Sequence, residues 1–355
     1  DTFQIISSQR NNLAQTTISA DAATCGDCLA EINDPYNRRY RYPFTNCTHC
    51  GPRLSIIKAI PYDRCHTSMA EFSMCPACQA EYDDPGNRRF HTQANCCPDC
   101  GPKVFLEDAL GQTIPIDDVI KHAAQLIQQG HIIAFKGLGG FHLVCDASNE
   151  AAVAKLRQRK QRYAKPFALM AQDSAMISEY AQVSLVEQQA LSDKRAAIVI
   201  LQQRGKELAQ GIAPDVDKFG FMLPYTPLHH LLLQQLDSPV VMTSGNMSDE
   251  PQCIDNQEAR QKLAGLADYF LLHNRDIVNR LDDSLLRRTG DNMQVLRRAR
   301  GFSPEVLVLP DGFQRQQILA MGSELKNSFC LLKDGLAMVS QHICCDTIAK
   351  PSFNR

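Results

Sequence analysis

Two stretches of this chain repeat one arrangement of thiols. CGDCLAEINDPYNRRYRYPFTNCTHCGP begins at Cys25 and CPACQAEYDDPGNRRFHTQANCCPDCGP begins at Cys75. Each is a Cys-x2-Cys knuckle, 18 intervening residues, and a second knuckle: Cys25, Cys28, Cys47 and Cys50, then Cys75, Cys78, Cys97 and Cys100. A knuckle sets two thiolates on one side of a tight turn, and two knuckles complete a four-sulfur tetrahedron, the geometry of structural zinc. The copies also share Ala30/Ala80, Glu31/Glu81, Asp34/Asp84, Pro35/Pro85, Asn37/Asn87, Arg38/Arg88 and Arg39/Arg89, which marks a duplicated unit. A zinc with four thiolates carries a net charge of about −2, and the Arg pairs would offset it. Two structural zinc ions are therefore expected. The spacing leaves open whether the knuckles pair within each copy or crosswise between copies. Disulfides or redox pairs are disfavoured because no secretory leader precedes the quartets. The spacing also fits neither ferredoxin pattern. Cys65 and Cys96 fall outside the quartets and read as free thiols, and no ligand slot is left for His49, His66 or His91.

A metal with four protein ligands has no open position for chemistry, so reactive groups are sought beyond Val104. RQRKQRYAKP holds Arg157, Arg159, Lys160, Arg162 and Lys165. It reads either as a solvated helix end suited to the C-terminal dipole or as a clamp for a polyphosphate or adenylate. TSGNMSDEP ends a strand with hydroxyls, an amide and backbone N–H groups, where α/β sheets bind ligands; the alternative is an ordinary turn. NRLDDSLLRRTGDNMQVLRRARGFSP packs paired acids and six arginines into a short span, which alone fits a salt-bridged strand pair. KGLGG lacks the full dinucleotide fingerprint.

The elements that must position these groups alternate. DDVIKHAAQLIQQG places Ile120, Ala123, Ala124 and Ile127 on one helical face, with Asp117 near its start and Gly130 at its end. HIIAF, FALMA, AAIVIL, PVVMT and DYFLL read as strands. SNEAAVAKLRQRKQR, capped by Asn149, PLHHLLLQQL and DNQEARQKLAGL read as helices. The alternation predicts an α+β or α/β domain with a mixed twisted sheet behind a tandem four-cysteine module. The chain has 355 residues and a formal charge of −2, enough for two or three domains and against a dedicated nucleic-acid binder. No apolar run is long enough to span a membrane, and a reducing, cytoplasmic setting is expected from the 15 cysteines.

Taken in order, the doubled cysteine module, FKGLGGFHLVCDA, KPFALM, LPYTPLHHLLL, TSGNMSDEP and RRARGFSP resemble the HypF family, the carbamoyltransferases of nickel–iron hydrogenase maturation. The resemblance runs over nearly the whole chain. It implies a leader at 1–20, a tandem zinc-finger module at 21–106, a YrdC-like domain for ATP and carbamoyl-adenylate at 107–310, and the start of an ASKHA-type carbamoyltransferase domain at 311–355. The family's acylphosphatase-like first domain has no counterpart here, and the final ICCDTIAKPSFNR departs from the family pattern, as a truncated or frame-shifted end would. The implied reaction joins ATP, with Mg²⁺, to carbamate released from carbamoyl phosphate, and the carbamoyl group then passes to the C-terminal cysteine of HypE. The fragment is not expected to complete that transfer alone. The YrdC pattern implies catalytic roles for Lys160 and Arg162. It implies nucleotide contacts at Lys136, Gly137, Gly139, Lys165, Ser244, Gly245, Asn246 and Ser284, and at Arg297 or Arg298. Asp282 or Asp283 would assist Mg²⁺. Where YrdC enzymes carry Pro-Thr-Glu this chain has Lys136-Gly137-Leu138. The loss of that hydroxyl disfavours threonylcarbamoyl-adenylate synthesis. The competing reading, a zinc-finger and YrdC-type nucleic-acid-binding or regulatory module, is weakened by the few stackable aromatics in the finger module.

Overall fold

In a computed structural model, residues 18–247, 250–310, 312–313, 317–322 and 327–342 are described. The expected leader and the atypical tail fall mostly outside them.

In each cysteine unit the first knuckle opens a short helix: α1, Gly26–Asn33, and α2, Pro76–Asp83. Beyond them runs one large mixed sheet. Its strands are β1 (Val104–Asp108), β2 (Ile133–Lys136), β3 (Phe141–Asp146), β4 (Ala168–Met170), β5 (Ala181–Gln182), β6 (Ile198–Gln203), β7 (Lys218–Met222), β8 (Val240–Ser244), β9 (Tyr269–His273), β10 (Leu285–Thr289) and β11 (Asn292–Arg297). The order is β1-β9-β2-β3-β8-β4-β7-β6-β10-β11, with β5 beside β6. The pairs β2/β9, β4/β7 and β6/β10 are parallel and the rest antiparallel. β2 and most of β3 are buried residue after residue, as expected of strands covered on both faces.

Helices cover both faces. α4 (Glu150–Lys160), α5 (Ser174–Tyr180), α6 (Leu185–Ser192) and α8 (Asn256–Leu263) pack on one core through Val153, Leu156, Ile177, Leu191 and Leu263. α3 (Val119–Gln128) and α7 (Pro227–Leu233) pack on the other. That second core also takes Ile32 of α1, so the first cysteine unit is built into the α/β domain. Asp117 lies near the start of α3 as expected, and the cap itself is Asp118, whose carboxylate accepts the Lys121 N–H at 3.0 Å. Asn149 caps α4 as expected, accepting from Ala152 at 3.0 Å. The pattern reading passed over α5, α6 and β7, which are short; Ser184 and Glu187 make a reciprocal capping box on α6.

The chain then forms a four-stranded antiparallel sheet, β12 (Val306–Val308), β13 (Ile318–Met321), β14 (Phe329–Lys333) and β15 (Leu336–Val339), ordered β12-β15-β14-β13. Its strands pair with one another, but Val308, Leu319 and Met321 stay 80, 59 and 67% exposed.

Three histidines lie inside the second layer. His229 stacks on Phe135 with centroids 4.9 Å apart, and its pKa falls well below the ordinary value through burial. Burial likewise lowers His273 and pushes His230 down to about 4. The unfolded chain would bind protons at these sites below about pH 6.5 while the fold does not. Stability contributed by the neutral rings is present above that pH and lost as the pH falls toward 4. Denaturant titrations should show stability falling as the pH drops below about 7, the slope approaching about 1.4 kcal/mol per pH unit for each of the three histidines once the pH is below about 5.5. A flat profile would place these rings in solvent.

Candidate metal quartets and nucleotide site

The four sulfurs of Cys25, Cys28, Cys47 and Cys50 converge, as do those of Cys75, Cys78, Cys97 and Cys100, each set within 4.8 Å of one another. The knuckles thus pair within each copy. Successive separations are 3.6, 3.8 and 3.5 Å in the first quartet and 3.7, 3.8 and 3.6 Å in the second. A tetrahedron of Zn–S bonds of about 2.3 Å has edges of about 3.8 Å, so the sulfurs fit that ion, whereas a disulfide needs about 2.0 Å. Cys28 and Cys78 are fully buried. Cys96 is buried against the Tyr42 hydroxyl, 3.6 Å away, and Cys65 is exposed.

The basic motifs converge elsewhere, on a cavity of about 380 Å³ against the second face of the sheet. The pleat builds its floor. Ile198 and Ile200 of β6, Gly220 of β7 and Leu285 of β10 lie on one face because Leu285 pairs with Ile198 and Ile200 with Gly220. Gly220 keeps that floor flat, since a Cβ there would stand 3.1 Å from Ile198. Phe167 and Met242 add apolar wall. Five cations, Arg162, Lys165, Lys218, Arg287 and Arg297, ring this surface, with Asp282 and Asp283 as the acids. An apolar floor ringed by cations suits a flat heterocycle carrying a polyanionic tail. A larger cavity of about 680 Å³ lies where residues 18–22 meet β12 and β15, but it mixes Arg53, Lys194 and Arg195 with Asp21 and Glu305 and is lined by none of the expected nucleotide residues.

Of the expected site residues, Arg162, Lys165, Ser244 and Arg297 line the cavity. Arg162 donates to the carbonyls of Lys165 and Pro166 at 3.0 and 2.6 Å and lies 5.2 Å over the Phe167 ring, which aims its fork. Burial pushes its pKa down to about 10, still charged.

Lys160, expected as a catalytic residue, sits beneath the cavity wall and not in its lining. Its ammonium is 1% exposed and donates to Ser244 O, Asn246 O and Asn246 Oδ1 at 2.7, 2.6 and 2.8 Å. It therefore builds the Ser-Gly-Asn turn from beneath and is absent from the cavity lining. Burial, with Arg162 and Lys165 nearby, pushes its pKa down to about 7. Within that turn the Gly245 N–H is taken by Phe141 O at 2.6 Å, and Asn246 Oδ1 accepts the Ser244 hydroxyl at 2.7 Å.

The glycine loop likewise lies outside the cavity lining. Lys136 is 2% exposed and donates to His273 O at 3.1 Å, away from the cavity. A Cβ on Gly137 would lie 2.9 Å from Gly140 O, and one on Gly139 2.5 Å from Leu281 O. The room these glycines leave is filled by the chain itself, not by a ligand. Ser284 is fully buried, its hydroxyl joining Arg300 O and Ala299 N at 2.9 and 2.8 Å. Arg298 turns to Glu305 O at 2.5 Å, outside the lining, whereas Arg297 is part of it.

Motif reading missed His142, Lys218 and Arg287. Register alone could have found the last two, since the β6/β10 pairing carries Arg287 beside Ile200. His142 Nε2 lies 3.1 Å from Asp283 Oδ2, and Arg300 reaches Asp283 Oδ1 at 2.9 Å. Burial would raise the Asp283 carboxyl, but Arg300 and His142 outweigh it and hold it well below the usual carboxylate range. Asp283 is thus tied to Arg300 and His142, and Asp282 lines the same cavity beside it.

Three family models match successive parts of the chain. The HypF finger model matches residues 24–57 and 74–107, a model described as Telomere recombination (Sua5, YciO and YrdC) matches 125–299, and the HypF Kae1-like domain model matches 313–349. The carbamoyltransferase HypF of Rhodobacter capsulatus is 53% identical over 342 residues, 96% of this chain and 45% of that protein. A crystal structure of full-length HypF in the phosphate- and nucleotide-bound form superposes with a TM-score of 0.88 at 49% identity, covering 92% of this chain and 43% of that one. More distantly, a threonylcarbamoyl-AMP synthase of Vibrio campbellii is 24% identical over 148 residues, 40% of this chain and 80% of that protein. The chain thus spans somewhat under half the length of its HypF relatives, and it belongs to the HypF family.

Proposed function

We propose that the cavity binds ATP and joins its adenylyl group to carbamate. The observation that carries this reading is the ring of five cations, Arg162, Lys165, Lys218, Arg287 and Arg297, around an apolar floor. A carbamate oxygen attacks the α-phosphorus, the bond to the β-phosphate oxygen breaks, and pyrophosphate leaves with its charge held by those cations. Such a step needs positioning and charge more than covalent catalysis. Lys160 sets the turn that presents Ser244, and Asp282 or Asp283, which line the same cavity, would assist the Mg²⁺ that accompanies ATP. Gathering the cations inside a cavity, not along an open face, favours a small anion over nucleic acid. In the longer protein the carbamoyl group would come from carbamoyl phosphate and pass to the HypE C-terminal cysteine for hydrogenase maturation. A cytoplasmic setting follows from the reduced thiol quartets. The quartets would each hold a structural zinc, whose closed coordination serves folding.

The test is ATP–pyrophosphate exchange with bicarbonate and ammonia, which form carbamate in solution. Exchange should depend on both. Arg162→Ala with Arg297→Ala removes two charge-assisted contacts worth about 1.5–3 kcal/mol each, so ATP affinity should fall at least about tenfold. Unchanged affinity in the folded double variant would refute the placement. Carbamoylation of HypE by this chain alone is not expected.

A further inference from the structure

The two cysteine units are strapped to each other, each by the arginines of the other. Arg38 of the first unit donates to Cys78 Sγ of the second at 3.3 Å and pairs with Glu81 at 2.7 Å. Arg39, 2% exposed, adds Glu81 Oε1 at 2.9 Å, Asn95 Oδ1 at 3.0 Å and Cys96 O at 3.0 Å. The second unit returns the thiolate, carboxylate and backbone contacts, though not the Asn95 bond, since Thr45 stands at the equivalent position. Arg88 donates to Cys28 Sγ at 3.3 Å and pairs with Glu31 at 2.8 Å, while Arg89, 3% exposed, reaches Glu31 Oε1 at 3.1 Å and Asn46 O at 3.0 Å. The contacts repeat fifty positions apart, 89 − 39 and 78 − 28 alike, as across a local twofold axis.

We propose that Arg38 and Arg88 are outer-sphere ligands in trans: each stabilises the metal quartet of the opposite unit, not its own. This rests on the quartets being zinc sites. A guanidinium that donates to a metal-bound thiolate offsets the charge of the four-thiolate site and withdraws charge from sulfur, which slows its protonation and release. Partners of this kind typically alter metal affinity 10- to 100-fold. Within one unit the Arg pair follows its own first knuckle by ten residues, so chain proximity alone would suggest service to its own metal. The fold instead delivers Arg38 to Cys78 and Arg88 to Cys28. The same exchange accounts for the duplication: one unit alone would hold a dianionic site without its counter-charge.

The experiment uses the whole zinc-loaded chain. Metal content is measured first, then the chain is challenged with a chelator and an alkylating agent, and labelled cysteines are mapped by mass spectrometry. Arg38→Ala should label Cys75, Cys78, Cys97 and Cys100 about tenfold faster, with Cys25, Cys28, Cys47 and Cys50 at the wild-type rate. Arg88→Ala should show the mirror image. Should the alanine variants fail to fold, Arg38→Lys and Arg88→Lys, which keep the charge but lose the fork, should give the same crossed pattern at smaller amplitude. Faster labelling of the variant's own quartet, of both alike, or of neither overturns the inference. A wild-type zinc content below two would instead remove the zinc reading on which it depends.

Discussion

Replacing Cys28 by serine should release one of two zinc ions and cost the chain far more than the loss of one thiol. Structural zinc contributes about 10–16 kcal/mol of apparent binding free energy at neutral pH, and most of it appears as folding free energy. The finger module has little else to draw on. Its own apolar cluster contains Tyr42, Phe44, Ile56, Met69, Ala94 and Cys96, and the first quartet packs mainly on itself. Position decides how far the damage spreads. Cys28 lies in α1, whose Ile32 is wholly buried in the core shared with α3 and α7. Next to the knuckle, Ala23 and Thr24 donate to the carbonyls of Lys194 and Tyr225 at 2.8 and 3.2 Å. Cys78 lies in α2, whose buried side chain is that cysteine alone. Elemental analysis should therefore find one zinc in each variant and two in the wild type. Cys28→Ser should also lower the thermal transition of the α/β domain and weaken ATP, while Cys78→Ser leaves that transition nearly in place. Equal effects on the α/β domain would mean that α1 is not part of its core.

The quartets were legible because ligand spacing is a local property and the ion imposes one geometry. The strands β2, β4, β6, β8 and β9 were legible for a similar reason, since each is a short, largely apolar run, whereas β3 was hidden in the Gly-rich stretch that precedes it. What escaped depends on pairing. The Arg pairs recur identically in both units, so nothing in the sequence separates service in cis from service in trans. Lys218 belongs to no motif and Arg287 is one of six arginines in its stretch; both reach the cavity only because β6 lies between β7 and β10. Lys160 and Ser284 sit inside motifs that do form the site, yet both face inward and hold backbone. A motif marks the neighbourhood of a reaction without saying which side chains touch the ligand.

The wall formed by Asp283 should prove the most sensitive part of the cavity. Its carboxylate is 10% exposed and takes Arg300 Nε at 3.0 Å on Oδ1 and His142 Nε2 at 3.1 Å on Oδ2. Arg300 is 1% exposed, lies 3.5 Å over the Tyr225 ring and also donates to the Arg195 and Ala196 carbonyls at 3.2 and 2.8 Å. Those carbonyls satisfy its N–H groups but leave its charge unbalanced if Asp283 is removed. Breaking a buried pair from one side costs about 3–5 kcal/mol because the remaining charge has no water to return to. For a domain of this size, Asp283→Ala should lower Tm by about 6–20 °C. Removing the second charge as well should restore part of the loss. Arg300→Met in the Asp283→Ala background should cost less than the two single changes added together, with a coupling of at least about 1 kcal/mol in the double-mutant cycle. Strict additivity would show that the carboxylate and guanidinium act independently, and that this wall of the cavity is held by backbone contacts alone.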